Sequence, residues 1–204
     1  MKPLFAACFV IAVLAAALLS VATAQERKVA LFAGGCFWSM ERAFQETPGV
    51  MAVVSGYSGG TVANPSYEQV GTGTTGHRET VRVEYDPARI SYAQLLDVYW
   101  HHIDPTDDRG QFCDKGSEYR SAIFVADDAE RKAAEASKAA LQASPRFKGT
   151  TIATEILPAG PFFPAEEYHQ DFYLKNPGRY NEYRVGCRRD ERMKQIWGAE
   201  APVH

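Results

Sequence analysis

The hydrophobic period of the chain changes within a few residues around position 35. Lys28 to Ala33 (KVALFA) is an apolar run of strand length. From Cys36 onward, Phe37, Met40 and Phe44 recur at helical spacing, with Glu41, Arg42 and Gln45 between them. Gly34-Gly35 separates the two patterns, and Pro48-Gly49 stops the second. This junction commits the chain to a buried strand that turns through two glycines directly into a helix. It also puts Cys36 at the start of that helix.

The remaining patterns build outward from this unit. Val50 to Tyr57 reads as a second strand, and Ser58 to Gly76, rich in Gly, Thr, Ser, Asn and Pro, as a long loop. Glu79 to Tyr85 (ETVRVEY) alternates, with Val81, Val83 and Tyr85 on one side and Arg82 and Glu84 on the other. Ser91-x-x-Gln94 is a capping box for a helix carrying Leu95, Leu96, Tyr99 and Ile103. After a polar loop over 104–116, Tyr119 to Ala126 reads as a buried strand. Asp127-x-x-Glu130 opens an Ala-rich helix that ends before Pro145, and Thr151 to Leu157 is a further strand. A proline-rich turn, a short helix over 166–172 and a last helix over 190–197 complete the chain. Strands and helices mix without strict alternation. The expected class is α+β, with a mixed sheet carrying its helices mainly on one face.

Residues 1–24 carry the layout of a secretory signal peptide: Lys2, an apolar run over 3–20, and Ala22-Thr23-Ala24 before Gln25. The alternative is a retained membrane anchor, since the run is near spanning length. Cleavage would leave residues 25–204 as one exported, periplasmic domain with no stable membrane association. The formal net charge of −3 comes with no basic patch, so no nucleic-acid partner is expected. Cys8 falls within the leader, which leaves Cys36, Cys113 and Cys187 in a setting where disulfides persist. An odd number leaves one thiol over, which leans towards redox chemistry.

Cys36 could be a buried small hydrophobe, half of a structural disulfide, or a nucleophile. Unpaired N–H groups and the positive end of the helix dipole would stabilise a thiolate there and lower the thiol pKa. Phe37 and Trp38 point about 100° apart on a helix, so at least one ring should line the surface beside the sulfur. Glu79 shares the parity of Val81, Val83 and Tyr85. If it lies within the strand, its carboxyl faces the apolar side, resists ionisation and can act as a general acid; if it lies at the strand edge, it reaches solvent. Asp114 and Tyr119 set an acid and a phenol at a loop-to-strand junction.

The motifs Gly35-Cys36-Phe37-Trp38, Gly56-Tyr57-Ser58-Gly59-Gly60, Asn64-Pro65-Ser66-Tyr67, Thr75-Gly76-His77-Arg78-Glu79 and Asp114-x-Gly116-x-x-Tyr119-Arg120-Ser121 occur in this order. Pro164-Ala165-Glu166-x-Tyr168-His169-Gln170 and Lys175-Asn176-Pro177 follow. As an ordered set they resemble the A-type peptide methionine sulfoxide reductases over almost all of residues 25–204. The resemblance implies an α+β roll on a ferredoxin-like core. It implies a monomer acting on methionine S-sulfoxide, free or in oxidised proteins, without metal or organic cofactor, and recycled by an external dithiol such as thioredoxin. By the same resemblance Cys36 is the nucleophile, Phe37 and Trp38 hold the substrate methyl, Glu79 protonates the sulfoxide oxygen, and Tyr67 and Tyr119 hydrogen-bond it. Asp114, His169 and Tyr180 are then placed around the pocket.

The chain departs from the family where many members carry a resolving cysteine directly after the tyrosine matched by Tyr180; here the residue is Asn181. Cys187 is then the expected resolver, brought to Cys36 by a segment loosened by Gly178 and Gly186, with Cys113 as its rival. Two other classes stay open. One is a thiol hydrolase using His77 or His169 as base; the other is a non-catalytic scaffold closed by a Cys36–Cys187 disulfide.

Overall fold

The computed structural model of the chain describes residues 27–202; the signal-peptide expectation falls outside them. β1 (Lys28–Ala33) leads through Gly34 and Gly35 into α1 (Phe37–Gln45), and β2 (Val50–Ser58) follows. After α2 (Tyr67–Gly71) come β3 (Arg78–Tyr85) and α3 (Tyr92–His101). A small hairpin, β4 (Gly110–Gln111) and β5 (Asp114–Lys115), precedes β6 (Ala122–Val125) and α4 (Asp128–Ala143). The C-terminal part holds β7 (Glu155–Pro158), β8 (Phe162–Pro164), α5 (Phe172–Lys175), α6 (Pro177–Gly186) and α7 (Arg189–Trp197).

Six strands form one sheet in the order β7-β6-β1-β3-β2-β8. β6 and β7 are parallel and every other neighbouring pair is antiparallel, so the sheet is mixed. β1 and β2 run the same way with β3 between them, so β1-α1-β2 and β3-α3-β6 are two interleaved βαβ units. Strand parity separates two apolar layers. Ala30, Phe32, Val81, Val83 and Ile123 join the side chains of α1, α3 and α4 in the main core. Leu31, Ala33, Ala122 and Phe124 form a smaller cluster on the other face. Phe32 sits at the centre of the helical face, stacked on Phe44 at 5.0 Å and Tyr99 at 5.1 Å. The α+β class with helices mainly on one face is the observed architecture.

The junction that opens the chain is held tightly. Gly35 has φ +78°, and a Cβ there would lie 2.5 Å from the Cβ of Gln111. The buried Gln111 amide pairs with the backbone of Asp104, donating from Nε2 to its oxygen at 2.8 Å and accepting from its nitrogen at 2.7 Å. The β4–β5 hairpin therefore packs directly against the turn before Cys36.

Several short elements depart from the sequence reading. The predicted loop over 58–76 contains α2, started by a capping box between Ser66 and Gln69. The polar loop over 104–116 contains the β4–β5 hairpin. The strand expected over 151–157 is confined to β7, and the helix expected over 166–172 is a 3₁₀ turn (Glu167–His169) followed by α5. The segment expected to be loosened by Gly178 and Gly186 is instead α6, with Pro177 at its first turn, where a missing N–H costs nothing.

Candidate active site

Cys36 is the N-cap of α1, and its side chain caps nothing. The N–H of Phe37 instead donates to Oε2 of Glu79 at 2.8 Å. A carboxyl from β3 thus takes the place of a local cap, a position favoured by the helix dipole. Glu79 is 3% exposed, on the same sheet face as Val81 and Val83, so strand parity rather than the edge decides its direction.

Cys36, Phe37, Trp38, Tyr67, Glu79, Asp114, Tyr119, Arg179 and Tyr183 line one pocket of about 340 Å³, near the lower end of the range for small-ligand sites. Phe37 is buried, its ring among those of Tyr57, Tyr67 and His169. Trp38 is half-buried and clamped: it stacks on Phe172 at 3.7 Å, meets Tyr183 edge-on, and donates from Nε1 to Nδ1 of His169 at 3.0 Å. One ring of the adjacent pair thus enters the core while the other stays partly open, and both line the pocket.

Burial pushes the Glu79 carboxyl up to about 8; Asp114 and Glu118 push the same way, and the Phe37 N–H opposes them. Glu79 is therefore largely neutral at pH 7 and can donate a proton. Burial also raises the Cys36 thiol, and Glu79 and Asp114 add to the rise. This reverses the expectation of a depressed thiol pKa. The helix end does contribute the N–H of Trp38, and Tyr183 adds its hydroxyl. The N–H of Phe37, however, is taken by Glu79, and burial outweighs what remains. Burial raises the Tyr67 hydroxyl to about 12 and raises the Tyr119 hydroxyl as well, so both stay protonated. Tyr183 donates to Oδ2 of Asp114.

Two of the expected pocket residues lie behind it. His169 is buried and holds Trp38 from the rear. Tyr180 is also buried, and its hydroxyl lies between Ser39 and Arg184. The pocket position on α6 belongs to Tyr183, one turn further on; with Arg179 it is a lining residue that the sequence reading missed. Glu166 positions others: Oε1 accepts from the Tyr67 N–H at 2.8 Å and Oε2 from the Tyr57 hydroxyl at 2.9 Å. Cys187 pairs with Cys113, with Cα atoms 4.9 Å apart, and Cys36 is free. The expected Cys36–Cys187 pairing is not what the fold holds, because Cys187 ends α6 beside the β4–β5 hairpin while Cys36 lies at the buried start of α1.

Neither histidine is placed as a base for Cys36. His77 is built into its own loop, with Nδ1 accepting from the Gly60 N–H at 3.1 Å and Nε2 2.7 Å from the Val62 oxygen. The free state of Cys36 likewise removes the cross-link that the scaffold reading required.

A family profile described as peptide methionine sulfoxide reductase matches residues 28–201. The chain belongs to the peptide methionine sulfoxide reductase family. Like the reductase MsrA of Bacillus licheniformis, with which it is 54% identical over 175 residues, it carries the family domain across most of its length; the match covers 86% of this chain and 96% of that protein. Reduced Mxr1 from Saccharomyces cerevisiae superposes with a TM-score of 0.70 at 34% identity, over 74% of this chain and 87% of that one. Mxr1 in complex with Trx2 matches with a TM-score of 0.51 at 26% identity, over 72% of this chain and 84% of that one.

Proposed function

We propose that the chain reduces methionine S-sulfoxide, free and in oxidised proteins, by attack of Cys36 on the sulfoxide sulfur, and passes the oxidation to Cys187 and then Cys113. The observation that carries the reading is a free Cys36 thiol and a buried Glu79 carboxyl lining one pocket with an aromatic wall. A sulfoxide sulfur becomes electrophilic when its oxygen gains a proton. Glu79 supplies that proton, with the Tyr67 and Tyr119 hydroxyls as further donors. The Phe37 N–H steadies the carboxylate left behind, which then accepts the proton lost by the Cys36 thiol. Thiol and sulfoxide become sulfenic acid and thioether; the oxygen moves from substrate sulfur to Cys36 and no net charge is left in the pocket. Phe37 and Trp38 suit the substrate's methyl group.

Cys187 then displaces water from the sulfenic acid to form a Cys36–Cys187 disulfide. Cys113 attacks Cys187 and frees Cys36, leaving the bonded pair that the fold holds. A thioredoxin-like dithiol reduces that pair, a reading supported by the structural likeness to Mxr1 in complex with Trx2. Single turnover without reductant tests the relay. Fully reduced wild type is expected to release about two methionines per chain, because Cys36 is freed once (two turnovers by the exchange stoichiometry). Cys113→Ser and Cys187→Ser should each release about one. Disulfide mapping fixes the order: Cys113→Ser should trap a Cys36–Cys187 bond, and a Cys36–Cys113 bond in Cys187→Ser with no Cys36–Cys187 bond in Cys113→Ser would overturn the assigned route. We also propose export to the periplasm on the layout of residues 1–24. N-terminal sequencing of the secreted protein should then read from near Gln25, and an intact leader in the cytoplasmic fraction would refute export.

A further inference from the structure

Beside the pocket, three groups of metal-ligand type converge. Sγ of Cys113, Sγ of Cys187 and a carboxylate oxygen of Asp114 all lie within 4.8 Å of one another. While the sulfurs are bonded to each other they offer no thiolate. A dithiol reductant leaves two thiols on Cα atoms 4.9 Å apart. We propose that the reduced chain holds one thiophilic divalent cation, zinc foremost, on Cys113 Sγ, Cys187 Sγ and the Asp114 carboxylate.

The spacing fits the coordination. With Zn–S of ~2.3 Å and Zn–O of ~2.1 Å, tetrahedral angles put a ligand sulfur and oxygen ~3.6 Å apart and two sulfurs ~3.8 Å apart. Cys113 Sγ and Asp114 Oδ1 stand 3.6 Å apart already. Opening the disulfide to the sulfur spacing asks only for side-chain rotation. The ligands also sit on short regular elements: Cys113 in the turn of the β4–β5 hairpin, Asp114 at the start of β5, and Cys187 at the end of α6. Tyr183 donates to Oδ2 of Asp114, which orients the carboxylate and leaves Oδ1 for the cation. Cys113 is exposed, so the site opens to solvent at its fourth position. Two thiolates select zinc over magnesium or calcium.

Binding exchanges two thiol protons for one cation and moves no electrons. While both sulfurs are metal-bound, no disulfide can form between them. If the relay proposed above is correct, zinc would stop turnover after Cys36 has reacted; the cation site itself stands without the relay.

Cobalt(II) titration of the full chain, reduced with a phosphine and freed of it under anaerobic conditions, tests the site. One equivalent should produce thiolate-to-cobalt charge-transfer absorption that zinc then abolishes. Oxidised wild type, which keeps the fold and lacks the thiolates, should give no band. Cys113→Ser and Cys187→Ser should each lose the band, Cys36→Ser should keep it, and Asp114→Asn should weaken binding by about tenfold or more. A reduced wild type with no band overturns the proposal, as does a band that disappears in Cys36→Ser. Undiminished binding by Asp114→Asn would remove the carboxylate from the site. The comparison of reduced with oxidised wild type decides the matter even if a variant fails to fold.

Discussion

Glu79 caps a helix and, in the proposed mechanism, donates a proton, and the two roles pull its pKa in opposite directions. The Phe37 N–H favours the carboxylate; burial favours the acid and wins, up to about 8. An unfolded glutamate ionises near 4.5. Between those values the unfolded chain releases a proton that the folded chain retains, so this group makes stability fall as pH rises from about 4.5 to about 8. Glu79→Gln preserves an oxygen for the Phe37 N–H and removes that slope. The variant should melt close to wild type at pH 5 and above it at pH 9, while kcat/KM at pH 7 drops by roughly 10²-fold or more. A melting difference that does not grow with pH would mean that the folded carboxyl is already ionised. The parity of Glu79 was legible because alternation along a strand is local, but whether the strand reached position 79 stayed open until the fold placed it within β3. The thiol pKa was not legible, since Glu79, Asp114 and Tyr183 reach Cys36 from distant segments.

At the scale of elements, the segment between β8 and α5 acts as a strap. Gln170 accepts from the Ser55 N–H and donates to the Ser55 oxygen, each at 2.9 Å, and so pairs with β2 as a strand would. On the same strap Glu166 secures Tyr67 and His169 secures Trp38. Glu166→Ala leaves the Tyr67 N–H and the buried Tyr57 hydroxyl without their acceptor. The expected cost is about 1–3 kcal/mol in urea unfolding. It should come with a fall of roughly tenfold in kcat/KM, the order of 1.4 kcal/mol of lost positioning. The alkaline limb set by Glu79 should stay in place; a displaced limb would show that Glu166 acts on the acid itself. Long elements with a clear period were readable here, as Ser91-x-x-Gln94 and ETVRVEY illustrate. The short ones were not, although Ser66-x-x-Gln69 carried the same capping signal inside a stretch whose Gly and Thr content argued for a loop. α6 contains Gly178 and ends at Gly186 with little amphipathic pattern, so the relation between Tyr180 and Tyr183, three residues apart on one helix, was not drawn.

Across the whole molecule, the pairing of Cys113 with Cys187 ties the β4–β5 hairpin to the end of α6 over a sequence separation of 74 residues. The sequence could place three thiols but not their partners, because pairing depends on where the chain brings Cα atoms together. A link across that separation is worth roughly 4 kcal/mol in the chain-entropy account. Both tethered elements also bear on the pocket, through Asp114 and Tyr183. Reduction in the presence of a chelator, which keeps any metal off the thiols, should therefore lower the guanidinium midpoint. Cys36→Ser should show the same drop, since Cys36 takes no part in the link. Cys113→Ser should start at the reduced midpoint and stay there. A cross-link between Cys36 and Cys187 would give the opposite result: Cys36→Ser would become insensitive to reductant, while Cys113→Ser would keep its response.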